Sequence, residues 1–340
     1  MNAIKPRPYS KDYEITDAMF GAFRAPGGAR FFSSLLGWTT ALLSVIFLVA
    51  LPPIVRAYLG VVGSIVGLDD ADPIKPGELE RAMGGLGDSL LAMTPALVLL
   101  GVGTLAVTAV VRAAFYRRYF HGWDGGWFPF RLGGDEWRQF VVQLGYWGLF
   151  VLVYVLFVFL TAVLSGALAG GAAAVGADGA VLAITILLVA AIYIGMFVVG
   201  FWYGITFAPA GALTGLRRRT HLLAARRVTK NRYWALFGSI LVAGLLGYTT
   251  YYALSLTGIS AGLSSLLTGE MMEGLLSGED SSAALGSLRD TAGTTRFRIG
   301  AFFAVVMTAA GNAFYILMLL GPSAFFVRQW EESDPTAVFH

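Results

Sequence analysis

Six stretches carry no acidic or basic residue: Phe31 to Val55, Leu90 to Val111, Phe140 to Ala162, Val181 to Ile205, Trp234 to Leu256 and Ile299 to Leu320. Each reaches the roughly 20 residues that an α-helix needs to cross a hydrocarbon layer about 30 Å thick. Lipid offers the backbone no hydrogen-bond partner, so a segment that enters it must satisfy its own N–H and C=O groups, and a helix does so. The fourth run is the most apolar, with twelve Leu, Ile, Val or Phe between Val181 and Gly200. At about −0.3 to −0.6 kcal/mol each near a helix centre, these favour insertion by roughly 4–7 kcal/mol. The whole chain is 56% hydrophobic and 13% charged, whereas a soluble domain carries about 25% charged residues. The expected fold is all-α: a polytopic transmembrane helical bundle of six spans.

Lys and Arg remain on the cytoplasmic side of inserted segments, so their distribution sets the threading. From the N-terminal segment through the five loops to the tail, the cations number 5, 2, 5, 0, 7, 3 and 1. The alternation predicts six spans with both termini cytoplasmic. Residues 1–30 form a cytoplasmic N-terminal segment, 31–327 the six-span domain and 328–340 a cytoplasmic tail. The first thirty residues are polar and charged, which is not the order of a secretory signal peptide. Arginine outnumbers lysine 20 to 4, a usage pointing to a GC-rich bacterial genome and hence to the bacterial cytoplasmic (inner) membrane. The chain has no cysteine, which removes disulfides, thiolate nucleophiles and Cys-based metal sites.

Local patterns add detail. Thr16 is a candidate helix N-cap with Asp17 in the first turn. Ile15, Met19 and Phe23 then recur at helical spacing, predicting a short helix lying on the membrane with its aromatic side in the headgroups. Pro52 and Pro53 are expected to kink or end the first helix. The following "AYLGVVGSIVG" is placed at the outer interface. Leu263, Leu267, Met271 and Leu275 recur every fourth residue in the fifth loop and predict a second surface helix. Small residues let membrane helices approach closely. They line up at Ala235, Ser239, Ala243 and Gly247, at Gly300, Ala304 and Thr308, and as a GxxxG at Gly200 and Gly204. Packing within the chain is the favoured reading of these rows.

The stretch "YFHGWDGGWFPFRLGGDEWRQF" is the most enzyme-like. His121 and Asp124 could serve as a base and its carboxylate, yet Asp-Gly is also a plain turn signal. Adjacent Asp135 and Glu136 point in different directions on a helix. An aromatic loop with Trp123, Trp127 and Trp137 at headgroup level is the competing reading. The residues define no catalytic, cofactor or metal set. The densest charge lies in "RRRTHLLAARRVTKNRYW". Its Arg217, Arg218, Arg219, Arg226, Arg227, Lys230 and Arg232 form the strongest cytoplasmic retention signal. They are also candidates for contact with anionic lipid headgroups, worth about 1 kcal/mol per cation near the surface. A basic stretch held at a bilayer meets anionic lipid first, which argues against nucleic acid as a partner.

"RLGGDEW" (131–137), "ARRVTKNRYWALFG" (225–238) and "GPSAFFVRQW" (321–330) together resemble the polytopic membrane domain found with bacterial glycerophosphodiester phosphodiesterases, and its stand-alone relatives. The resemblance covers most of the chain in topology and about thirty residues in motif. Where relatives tend to show Thr-x-Gly, this chain has Thr229, Lys230 and Asn231. No phosphodiesterase barrel accompanies the spans, so no catalytic residue carries over. The resemblance implies a membrane module with a lipid-related role. From the residues, the expected function is a non-enzymatic membrane module that contacts lipid, or a protein partner, through its basic inner loops. Two alternatives stay open: a facilitator or transporter of a small or lipid-like molecule, and an interfacial enzyme using His121 and Asp124. A polar cavity between the helices would favour the transporter.

Overall fold

The structure is a computed structural model that describes residues 15–24, 27–69, 76–123, 126–175, 178–230, 232–263 and 294–333. Among them there is no strand. The helices are α1 (Ile15–Arg24), α2 (Gly28–Asp69), α3 (Pro76–His121), α4 (Gly134–Val175), α5 (Asp178–Phe207), α6 (Ala210–Arg217), α7 (Ala225–Thr229), α8 (Tyr233–Leu263) and α9 (Thr295–Ser333). Six of them, α2 to α5, α8 and α9, are long and apolar enough to cross a membrane. They correspond one to one with the six apolar runs.

The six form a closed ring in which α2 touches α3, α3 touches α4, α4 touches α5, α5 touches α8, α8 touches α9 and α9 returns to α2. The α8–α9 pair makes the most extensive contact, and small residues are the reason. A Cβ on Gly311 would lie 2.8 Å from the Tyr251 Cα, and one on Gly258 would lie 2.9 Å from the Ala304 Cα. Gly247 likewise meets Tyr315, and Ala243 and Ser239 are buried. The small-residue rows on the fifth and sixth spans therefore pack within the chain. By contrast α4 and α5 sit at the flank, and their outward faces expose Leu156, Phe159, Leu187 and Val198. Exposed apolar surface on this scale suits lipid as the surrounding solvent. Hydroxyls within the spans bond back to their own helix, as Thr39 does to the Leu35 carbonyl (2.6 Å) and Thr161 to that of Phe157 (2.8 Å). Such bonds satisfy those hydroxyls within their own helix.

Several expected boundaries move. Helix α2 continues through Pro52 and Pro53 to Asp69, so the prolines do not end it and "AYLGVVGSIVG" is helical. A proline can sit inside a membrane helix when neighbouring helices shield the freed carbonyls, and α2 lies between α3 and α9. The Gly/Ala-rich third loop is mostly helix too, since α4 runs to Val175 and α5 begins at Asp178. At about 1.5 Å per residue, the 42 residues of α2 extend roughly 63 Å, well beyond the hydrocarbon. The expected surface helix of the fifth loop falls on residues past Leu263 and lies outside the described residues.

The N-terminal helix forms over the residues that the pattern marked. It starts at Ile15, which puts Thr16 inside the first turn rather than at the cap. Ala18 and Met19 are buried, and Met19 packs with Ala243 and Met318. A Cβ on Gly321 would come within 2.8 Å of the Met19 carbonyl oxygen. Helix α1 is thus docked on α9 and α8, and glycine at 321 leaves room for its backbone.

Candidate functional site

The cation-rich helix ends and loops meet at one end of the ring. Arg118 lies over the Phe31 ring, Arg328 over Tyr119 and Arg217 over Trp330. These contacts tie the start of α2, the end of α3, the end of α6 and the end of α9 together. The main hydrophobic core, with Leu35, Val111, Phe115, Leu213, Leu317 and Val327, sits toward this end. Helix α6 turns back after α5 and packs against α3, α4 and α9, burying Ala210 to Thr214. It closes the basic end of the ring.

Beneath α6 lies a cavity of about 840 Å³, bordered by α3, α4, α5, α6, α8 and α9. Its two sides differ. On one side its lining residues Phe197, Leu241, Leu245 and Tyr248 are exposed at the outer surface, Phe197 to 70% and Leu245 to 58%. The cavity therefore opens sideways between α5 and α8, onto the faces that lipid would cover. Gly200 and Gly204, expected to bring two helices together, instead widen it: a Cβ on either meets only side chains, Phe150 at 3.5 Å and Tyr146 at 3.4 Å.

The deep side is polar. It is lined by Arg112, Tyr116, Tyr146, Tyr315 and Ser323, of which Tyr116 and Ser323 are buried. Arg112, Gln139 and Tyr116 converge on Gly211. A Cβ there would sit 3.1 Å from the Gln139 Oε1, 3.5 Å from an Arg112 terminal nitrogen and 3.5 Å from the Tyr116 ring. Gln139 donates to the Gly211 carbonyl at 2.8 Å, leaving its Oε1 without a partner. The Arg112 Nε also has none, and Arg112 forms no ion pair among the described residues. Gln143 is 2% exposed with an unpartnered Nε2.

Arg112 corrects the sequence reading. The second apolar run ends at Val111, one residue before it. In the structure α3 continues to His121, so Arg112 lies nine residues, or about 14 Å, inside the helix end. A guanidinium on a membrane-spanning helix is costly unless it faces the bundle interior or a cavity, and Arg112 lines one. The only sequence signal for this was the helix-compatible "VVRAAFYRRYF", in which nothing breaks the helix before Gly122.

The expected headgroup contacts separate into groups. Arg219, Arg226, Arg227 and Lys230 are exposed at the basic end. Arg217 stacks on Trp330, Arg232 is half-buried, and Arg218 caps α6. The segment is held from its apolar side: Leu222 and Ala225 pack with Val142, and Val228 is buried. The Thr229 hydroxyl lies 3.0 Å from the Thr206 carbonyl and 3.1 Å from that of Ala225. His221, whose backbone N–H donates to Thr214 (3.1 Å), is held below its ordinary pKa by burial and by Arg217 and Arg219.

The expected His121–Asp124 pair includes a residue outside the described ones. The His121 Nε2 donates to the Gly215 carbonyl at 3.1 Å, and Asp124 lies outside the described residues. Asp135 and Glu136 do diverge, toward Arg138 and Arg117 respectively. Trp127 and Trp137 are exposed as expected of an interfacial belt, and the Trp127 carbonyl accepts from Ser34 and Trp38. No protein-family model, curated protein or solved structure matches the chain.

Proposed function

We propose that this integral membrane protein binds an amphipathic, lipid-like anion in the cavity between its helices. The polar group would sit at Arg112 and the apolar chain would leave between α5 and α8. The observation that carries this reading is the cavity's gradient, from the half-buried Arg112 with an unpartnered Nε to an apolar mouth open at the side. A volume of about 840 Å³ falls within the roughly 300–1,000 Å³ typical of small-molecule sites. A lateral mouth lets the ligand exchange with hydrocarbon and spares its tail a passage through water. The role is binding or facilitated movement rather than covalent chemistry, as no nucleophile–base pair faces the cavity among the described residues.

In this reading the protein sits in a bacterial cytoplasmic membrane with its basic end inside. Arg219, Arg226, Arg227 and Lys230 then face anionic headgroups and hold the mouth at a fixed depth, at about 1 kcal/mol each. The resemblance to the phosphodiesterase-associated membrane domain supports a lipid-related role.

The test is native mass spectrometry of the protein released from nanodiscs made with mixed anionic and zwitterionic lipid. Wild type should retain anionic lipid. Arg112→Gln should lose that selectivity, and Gly244→Leu, which fills open space between α5 and α9, should lower total retention. Retention unchanged in both variants overturns the proposal.

A further inference from the structure

A second pocket, of about 410 Å³, lies on the other side of α3 from the intramembrane cavity, at the basic end. Its wall is built by the end of α3 (Arg117, His121), the start of α4 (Asp135, Glu136, Arg138) and Arg218 after α6, with Arg131 from the connecting loop. Four guanidiniums face two carboxylates. Both carboxylates are already engaged, Glu136 by Arg117 and Asp135 by Arg138 at 2.7 Å. Arg131 and Arg218 are exposed at the rim and form no ion pair among the described residues. The pocket's four guanidiniums and two carboxylates therefore leave a net positive charge of about two.

Two further observations point to a ligand rather than to a solvated basic face. Arg117 is 8% exposed, yet its Nε and Nη2 have no hydrogen-bond partner. A buried guanidinium normally satisfies these donors, because leaving one unpaired costs about 1–3 kcal/mol or more. Trp123 covers Arg117, with the guanidinium carbon 4.9 Å from the ring centre. Arg218 is also the sole non-glycine residue at positive φ among the described residues, at φ 52°. The left-handed region disfavours a Cβ by about 1–2 kcal/mol, and here it directs an arginine to the rim.

We propose that this pocket binds a phosphoryl group, carried on a lipid headgroup or on a soluble phosphate ester. Phosphate matches guanidiniums in planar, two-point fashion, and several arginines converging on one cleft favour a dianion over a carboxylate. Its lining is mainly polar residues, whereas the mouth of the intramembrane cavity is apolar. The ligand part held here is therefore the headgroup or the ester, not an acyl chain. Arg117 and Arg112 are five residues apart on α3 and turn about 140° away from each other, so the two sites are independent.

Trp123 supplies the readout. The full chain in detergent is titrated with inorganic phosphate, and the chain in phosphatidylcholine nanodiscs is compared with and without added phosphatidic acid. Tryptophan fluorescence is followed, with Trp123→Phe removing the local signal and chloride matching ionic strength. Wild type should give a saturable, Trp123-dependent change. The double variant Arg131→Gln/Arg218→Asn should weaken it at least about tenfold, through loss of two charge-assisted contacts; asparagine tolerates the left-handed conformation and so preserves the cap. Arg112→Gln should leave it unchanged. A response to inorganic phosphate assigns a soluble ester, and a response only with phosphatidic acid assigns a lipid headgroup. No response to either, or a response equal in the double variant, overturns the proposal.

Discussion

Replacing Glu136 with glutamine breaks the most buried ion pair among the described residues. The Arg117 and Glu136 side chains are 9% and 7% exposed, and Arg117 has no other partner for Nε and Nη2. Arg131, Arg138 and Arg218 in the same cleft are of like sign, and its other carboxylate, Asp135, is engaged by Arg138 at 2.7 Å, so the lost partner is not replaced. Breaking a buried pair at one partner costs about 3–5 kcal/mol, which is roughly two to three and a half powers of ten in the folding equilibrium. Asp135→Asn is the matched control. It removes the adjacent carboxylate, whose pair with Arg138 is 28–36% exposed, and should cost about 0–1 kcal/mol. The double variant Arg117→Met/Glu136→Leu should recover most of the loss, since a buried ion pair is often replaceable by apolar groups of similar volume. Unfolding by SDS in mixed micelles, followed by circular dichroism, measures all three. If Glu136→Gln proves no more costly than Asp135→Asn, the pair is hydrated and the buried arrangement around Arg117 is wrong.

Gly311→Leu should destabilise the α8–α9 pair by about 1–3 kcal/mol through overpacking, because the Tyr251 Cα lies 2.8 Å from the added Cβ. Gly238→Ala, which meets nothing within 4 Å, should be silent in the same unfolding assay. The His221 imidazole should titrate below about 6.5, since burial and then Arg217 and Arg219 lower its pKa. Protons then bind the unfolded chain more readily, so its effect on stability is absent above that value and destabilising as pH falls through it. An NMR midpoint at or above about 6.5 contradicts this. Gly321→Val should displace α1, whose Met19 carbonyl is 2.8 Å from the added Cβ, and speed proteolysis N-terminal to α2. Sidedness reporters at Ser281 and His340 should read opposite compartments; the same compartment for both refutes the threading.

The number and approximate place of the spans were legible because hydrophobic length is a local property. A charge-free run of about 20 residues is a membrane helix whatever its neighbours do. The gathering of cations at one end of the bundle follows from the same pattern, and Arg118, Arg217 and Arg328 do meet there. Helix ends were less legible. Nothing local distinguishes a cation that starts a loop, as Arg112 would, from one that continues a helix, or a proline pair that ends a helix from one it passes through, as at Pro52 and Pro53. The GxxxG of Gly200 and Gly204 was visible as a pattern, but only the absence of an opposing backbone made it a cavity wall.

What the sequence by itself determined, then, is an all-helical six-span chain with its charge segregated at alternate turns, because transfer of side chains into lipid depends on composition and length alone. The tertiary structure decided which of those charges turn inward. Arg112 facing a cavity, Arg117 buried against Glu136 and α1 seated on Gly321 all depend on how separate helices are rotated and spaced. Those rotations follow from close contacts between residues far apart in the chain, such as Gly311 with Tyr251, and no single segment encodes them.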